Sequence, residues 1–338
     1  MDIGPFFPSE LMDLLKRFIP AQIPILVTGQ PGQGKTDIVS QAAAACDADL
    51  IIAHPVVDDP VDYKGMPAII DGKYATFLPF GNLKALIDAT RPTVYFLDDL
   101  GQAPKSVQAA AMQLLLARRI NGHKVADCVT FIAATNRKED KAGVTGILEP
   151  VKDRFAAIVE LAPSLADWVR WALENNLPHE LVSFIRYRPQ FLDGFKATSD
   201  MTKSPTPRTI AGVGRLMQVG IPKELELRVF NTAAGKEFAI EFTGFLRVYR
   251  GLPDPDAVLL DPKNSIIPQE KSALYALCGA LSARASESNM ERFITYVDRL
   301  PEEFSVLSVR DAVARDKMGL PKTRAFAEWV TRHQDILI

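Results

Sequence analysis

Gly29-Gln30-Pro31-Gly32-Gln33-Gly34-Lys35-Thr36 is the stretch that decides how the first half of the chain is read. It fits the pattern G-x-x-x-x-G-K-[ST], with an apolar run, Ile25–Thr28, before it and a helical pattern, 35–46, after it. Such a loop has to turn sharply and bring backbone N–H groups against phosphate oxygens, and glycine permits both. The helix that opens behind the loop directs the positive end of its dipole to the same place. Lys35 is the only cation in the loop and is placed to reach β- and γ-phosphates. The Thr36 hydroxyl is placed to coordinate Mg²⁺.

Outward from the loop, short apolar runs alternate with helical patterns. Leu50–Ala53, Val94–Leu97, Val129–Ala134 and Ala157–Leu161 are bounded by polar residues, glycine or proline and read, with Ile25–Thr28, as buried strands of a parallel sheet. Helical stretches over 35–46, 82–89 and 104–119 lie between them. This alternation implies an α/β layered domain with right-handed crossovers. The third run ends in Asp98-Asp99, which supplies the acid a nucleotide-bound metal needs. Asp98 is expected to hold the Mg²⁺ shell, and Asp99 to orient or deprotonate the attacking water.

After Pro163 strand signals largely vanish. Leu165, Trp168, Val169 and Ala172 recur at helical spacing, as do Ile210, Val213, Leu216 and Met217, then Phe238, Phe242, Phe245 and Tyr249. These predict a small helical domain over 163–252. Leu252-Pro-Asp-Pro-Asp256 reads as a linker. Further stripes beginning at Leu274, Met290 and Phe326 predict a helical C-terminal module over 253–338.

Composition bounds the partners. Of 338 residues, 47% are apolar and 24% charged, an ordinary globular mixture. Lys plus Arg total 39 against 41 Asp plus Glu, a net charge of −2, which weighs against a nucleic-acid coat. Cys46, Cys128 and Cys278 are far apart and form no Cys-x-x-Cys, so reduced thiols in a cytoplasmic protein are expected. Met1 to Pro8 does not read as a signal peptide, and no apolar run approaches the ~18–20 residues that span a bilayer. His54, His123, His179 and His333 are scattered, and neither Gly-x-Ser-x-Gly nor His-Glu-x-x-His occurs. Gly212-Val-Gly214 lacks the third glycine of a dinucleotide fingerprint and reads as close helix packing.

Over residues 10–250 the chain resembles the AAA+ ATPases, and more narrowly the MoxR-like branch of their helix-2-insert clade. Phe131-Ile-Ala-Ala-Thr-Asn136 looks like the sensor-1 strand, with Asn136 at its tip. Val151-Lys-Asp-Arg154-Phe155 looks like the arginine-finger segment, and Ser204-Pro-Thr-Pro-Arg208-Thr like sensor 2. Thr206, Pro207 and Arg208 also read as N-cap, N1 and N2 of a helix. The hairpin signal over 68–77, turning at Asp71-Gly72, falls where that clade inserts a hairpin into its second helix. The resemblance implies a P-loop αβα domain over 1–162 with sheet order 5-1-4-3-2, followed by the all-α lid. It implies binding and hydrolysis of ATP with Mg²⁺ by a homo-oligomer, a hexameric ring, that remodels a protein client. A partner carrying a von Willebrand A-type domain is implied on the same ground.

One residue departs from the family. Its third strand usually ends in Asp-Glu, and Asp99 is one methylene shorter, about 1.5 Å. Since a displacement of ~1 Å can cost ~100-fold in rate, slow hydrolysis is expected unless the backbone compensates. Two alternatives stand beside the motor: a nucleotide-gated assembly switch, which Asp99 supports, and a nucleic-acid-directed motor of the same fold.

Overall fold

A computed structural model describes residues 4–140, 146–198 and 200–333. The chain divides into two compact units, one of residues 1–164 with 195–199, the other of 165–194 with 200–338.

The first unit is built on five parallel strands: β1 (Ile25–Thr28), β2 (Asp49–Ala53), β3 (Thr93–Leu97), β4 (Val129–Thr135) and β5 (Ala157–Glu160). Their order across the sheet is β2-β3-β4-β1-β5, so read from the other edge it runs 5-1-4-3-2, as the resemblance implied. β3 and β4 are buried along their whole length, and helices cover both faces. Successive side chains of a strand point to opposite faces, and the burial follows that period. Val94, Phe96, Ile132 and Ala134 pack with helices α1 (Pro8–Phe18) and α2 (Lys35–Ala45). Tyr95, Leu97, Phe131 and Ala133 pack on the other side with α4 (Gly81–Asp88) and α5 (Lys105–Ala117), and the short α3 (Pro60–Lys64) and α6 (Glu149–Lys152) add Tyr63 and Val151 to that layer. All five strands run the same way, so their C-terminal ends form one edge, where ligands of open α/β sheets bind.

The expected hairpin is present, with strands Met66–Ile70 and Tyr74–Leu78. Asp71 and Gly72 both take positive φ, and the Lys73 N–H donates to the Ile70 carbonyl at 3.0 Å. Ile69 and Tyr74 are exposed, Ile69 the more so, and Phe77 is half-buried. A second small hairpin was not anticipated. The helical reading of 104–119 stops early, because α5 ends at Ala117 with Arg118 left-handed, and Asn121-Gly122 turns the chain between Arg119–Ile120 and His123–Lys124. It props the insert: Asn121 Nδ2 donates to the Lys64 carbonyl at 2.7 Å, and His123 Nε2 lies 3.0 Å from the Phe77 carbonyl.

The second unit is helical: α7 (Leu165–Glu174), α8 (His179–Tyr187), α9 (Pro207–Val219), α10 (Glu226–Ala234), α11 (Lys236–Arg250), α12 (Pro255–Leu260), α13 (Lys271–Arg284), α14 (Met290–Val297), α15 (Glu302–Arg315) and α16 (Arg324–Arg332). The expected segments 163–252 and 253–338 keep largely separate apolar clusters, yet they form one compact unit rather than two. The reason is the α8–α13 contact. A Cβ on Gly279 would fall 2.0 Å from Ser183 Oγ, so the two helix backbones approach closely. The buried pair Arg186–Asp311 ties α8 to α15 as well. Asp256, read as the end of a linker, instead lies in the first turn of α12, capped by Asp254. Gly214 does mark close packing, 3.0 Å from Leu177 by the same construction. No helix among the described residues is long and apolar enough to cross a membrane.

Candidate functional site

β1 delivers the loop Gly29–Gly34 to the C-terminal edge of the sheet, and α2 begins at Lys35. Gly34 occupies the N-cap of α2 at φ 88°, ψ 20°, a conformation that a side chain strains, and so the loop can wind directly into a helix. Lys35 folds back over the loop, 6% exposed. Its ammonium donates to the carbonyls of Gly29 and Gln30, both at 2.9 Å, and to Asn136 Oδ1 at 2.8 Å. Gln33 is buried as well.

Neighbouring strands bring the acids. Thr36 Oγ1 donates to Asp98 Oδ2 at 2.7 Å, joining the first turn of α2 to the end of β3. Hydroxyl and carboxylate side by side offer two hard oxygen donors. That set suits Mg²⁺, which keeps most of its waters and takes few protein ligands. The next residue, Asp99, is left-handed at φ 55°, ψ 34°, a region that aspartate tolerates better than most side chains. Asn136, at the end of β4, donates through Nδ2 to Asp99 Oδ1 at 3.2 Å. A continuous chain of hydrogen bonds thus runs from Lys35 through Asn136 to Asp99.

The structure brings together Lys35, Thr36, Asp98, Asp99 and Asn136, with Gly29, Gln30, Pro31, Gly32, Gln33 and Gly34 forming the loop above them. It does not bring Arg154 to them. Ala157 pairs with Ile25 and Glu160 with Thr28, so Arg154, before β5, lies at the opposite edge of the sheet from the loop of its own chain. Arg154 Nε is buried and takes no acceptor among the described residues, and no ion pair with Asp153 appears there. Lys152, two residues before it, pairs with Glu149. Arg208 belongs to the second unit. It is exposed at the second position of α9, where Thr206 caps the helix as its sequence implies.

Two residues of this edge escaped the sequence. Arg137 follows Asn136 and clamps Asp140 at 2.9 Å and 3.1 Å, and it reaches Glu160 at 3.2 Å. Since β1 lies between β4 and β5, this bridge crosses the end of the loop-bearing strand. Hydrogen bonding to Asp140 raises the guanidinium further above its ordinary value. The other residue is Gln102, whose Nε2 donates to Asp99 Oδ1 at 3.0 Å. Its position one turn after Asp99 was the available signal.

Residues 25–162 match the model of the ATPase family associated with various cellular activities (AAA). No curated protein matches the chain. Among solved structures it is similar to the Thermotoga maritima RuvB Holliday junction branch migration motor, at 15% identity and a TM-score of 0.40, over 81% of this chain and 80% of that one. It is also similar to Brucella abortus NtrX, at 15% identity and a TM-score of 0.37, over 90% of this chain and 67% of that one.

Proposed function

We propose that the first unit binds and hydrolyses ATP, and that the chain is a MoxR-like AAA+ ATPase that couples this turnover to remodelling of a protein client. The observation that carries the reading is the convergence on one sheet edge of Lys35, the Thr36–Asp98 pair and the Asp99–Asn136 pair. The loop N–H groups and Lys35 hold the phosphates, and Lys35 offsets their charge. Thr36 and Asp98 would hold Mg²⁺, which would supply Lewis-acid withdrawal of charge from the phosphates. Asp99 accepts the proton of the attacking water as the new oxygen–phosphorus bond forms and the bond to the leaving ADP breaks. Asn136 carries no charge, so it donates to Asp99 and accepts from Lys35 without adding a fixed charge at the γ-phosphate.

The place of Arg154 supports a shared site. A guanidinium at the far edge of the sheet serves a neighbouring protomer's nucleotide, which calls for a ring of subunits, taken here as a hexamer. Arg208 is assigned to sensing the phosphate state. The exposed hairpin 66–78 is assigned to the client. A partner with a von Willebrand A-type domain rests on the sequence resemblance alone.

A second reading, a nucleotide-gated switch with slow hydrolysis, is favoured by Asp99 in place of glutamate. Phosphate release by the assembled protein separates the two. The direct test of the site is Lys35→Ala: a fluorescent ATP analogue that binds wild type should no longer bind this variant. Unchanged binding would overturn the assignment.

A further inference from the structure

The geometry points to Gln102 as a positioning residue for ATP hydrolysis, one that holds Asp99 in a single orientation and thereby offsets its shorter side chain. This inference rests on the ATPase reading above. Asp99 begins a 3₁₀ turn, Leu100–Gln102, and Gln102 returns at its end to place Nε2 3.0 Å from Asp99 Oδ1. Asn136 Nδ2, just past the end of the neighbouring strand β4, donates to the same oxygen at 3.2 Å. Two amide donors on Oδ1 fix the carboxylate plane from two sides. Oδ2 is left as the oxygen that takes the water's proton.

Three features show that this arrangement is built. The amide of Gln102 makes its side-chain hydrogen bond to Asp99, and its Oε1 is buried without a donor among the described residues, so Asp99 is what orients it. The turn is pressed onto β4: a Cβ at Gly101 would stand 2.1 Å from Thr135 Oγ1 and 3.2 Å from Thr135 Cβ. Glycine there lets the turn approach the strand, which puts Asn136 within reach of Asp99. Finally, Asp99 itself is left-handed, so its side chain leaves the strand in a direction that the ordinary extended backbone would not give. A shorter acid works at full rate only if its position is better defined, because orientation losses of ~1 Å cost ~100-fold. Two fixed donors on one oxygen supply that definition.

The experiment compares wild type, Gln102→Ala and Gln102→Met in ATP turnover and in binding of a fluorescent ATP analogue. Methionine keeps the length of the side chain and removes the donor. Both variants should lose about 10- to 100-fold in kcat, with analogue affinity and KM changed less than about threefold. In an Asp99→Asn background, Gln102→Met should add almost nothing, because the carboxylate it positions is gone. Full kcat in Gln102→Met would assign the residue to packing and overturn the proposal. Losses that multiply in the double variant would overturn it too, by showing an effect independent of Asp99. Wild-type turnover that persists in Lys35→Ala would instead overturn the ATPase reading. Lys35-dependent turnover indifferent to Gln102 overturns this inference alone.

Discussion

Arg154→Ala is expected to leave nucleotide affinity nearly unchanged and to reduce turnover by ~10³-fold or more, about 4 kcal/mol of transition-state stabilisation. The magnitude follows from where the residue sits. From the level of Ala157 and Ile25 to that of Glu160 and Thr28 is three strand steps, about 10 Å, and the loop begins beyond that. An arginine extends about 7 Å from its Cα, so Arg154 cannot reach the loop Gly29–Gly34 of its own chain. Its buried Nε has no acceptor among the described residues, so truncation breaks no ion pair there and the fold should persist. A role in trans predicts complementation. Arg154→Ala supplies an intact loop and Lys35→Ala an intact finger. In rings assembled from equal amounts of the two, about a quarter of the interfaces carry both intact parts. Phosphate release from the mixture should then recover to roughly a quarter of wild type, while each variant alone stays near background. No recovery in a sample shown to contain mixed assemblies would refute the shared site. A large loss of ATP affinity in Arg154→Ala would refute the placement argument itself.

Asp99→Asn keeps an oxygen for Gln102 and Asn136 to bond while removing the base. It should bind ATP as tightly as wild type and release phosphate ~10²- to 10⁴-fold more slowly, as a single-turnover assay would show. Arg186→Met strands Asp311, which is 5% exposed, as an unpaired buried charge. It should destabilise the protein by about 3–5 kcal/mol in urea denaturation, and Arg186→Met with Asp311→Leu should regain most of that loss. In the hairpin, Ile69→Ala with Tyr74→Ala removes two exposed apolar side chains. It should keep basal turnover within about twofold of wild type and abolish capture of an unfolded protein client; a collapse of basal turnover would place the hairpin in the ATP machinery instead.

What the sequence determined by itself was local. The loop Gly29–Thr36 is legible because its glycines, lysine and threonine act within a few residues of one another, and Gly34 adopts the left-handed N-cap that such a loop needs. The five strands were legible because continuous apolar runs are what a sheet covered on both faces requires. Thr206-Pro207 announced the start of α9 because a cap is a contact between residues three apart. Candidate residues at the ends of strands could be named, but how they meet could not. Lys35 finds Asn136 across 101 positions and Thr36 finds Asp98 across 62, because the strand order sets β4 and β3 beside β1. That order came from resemblance and not from periodicity, since a run of apolar residues does not specify its neighbours. Gln102 and Arg137 are illegible in the sequence for a related reason: a polar residue after a strand looks solvated until the fold shows which carboxylate it faces. The joining of both helical segments into one unit was likewise a tertiary outcome. Each amphipathic stripe announces that it will be buried, but only the close approach of Ser183 to Gly279 and the Arg186–Asp311 pair decide against which helix.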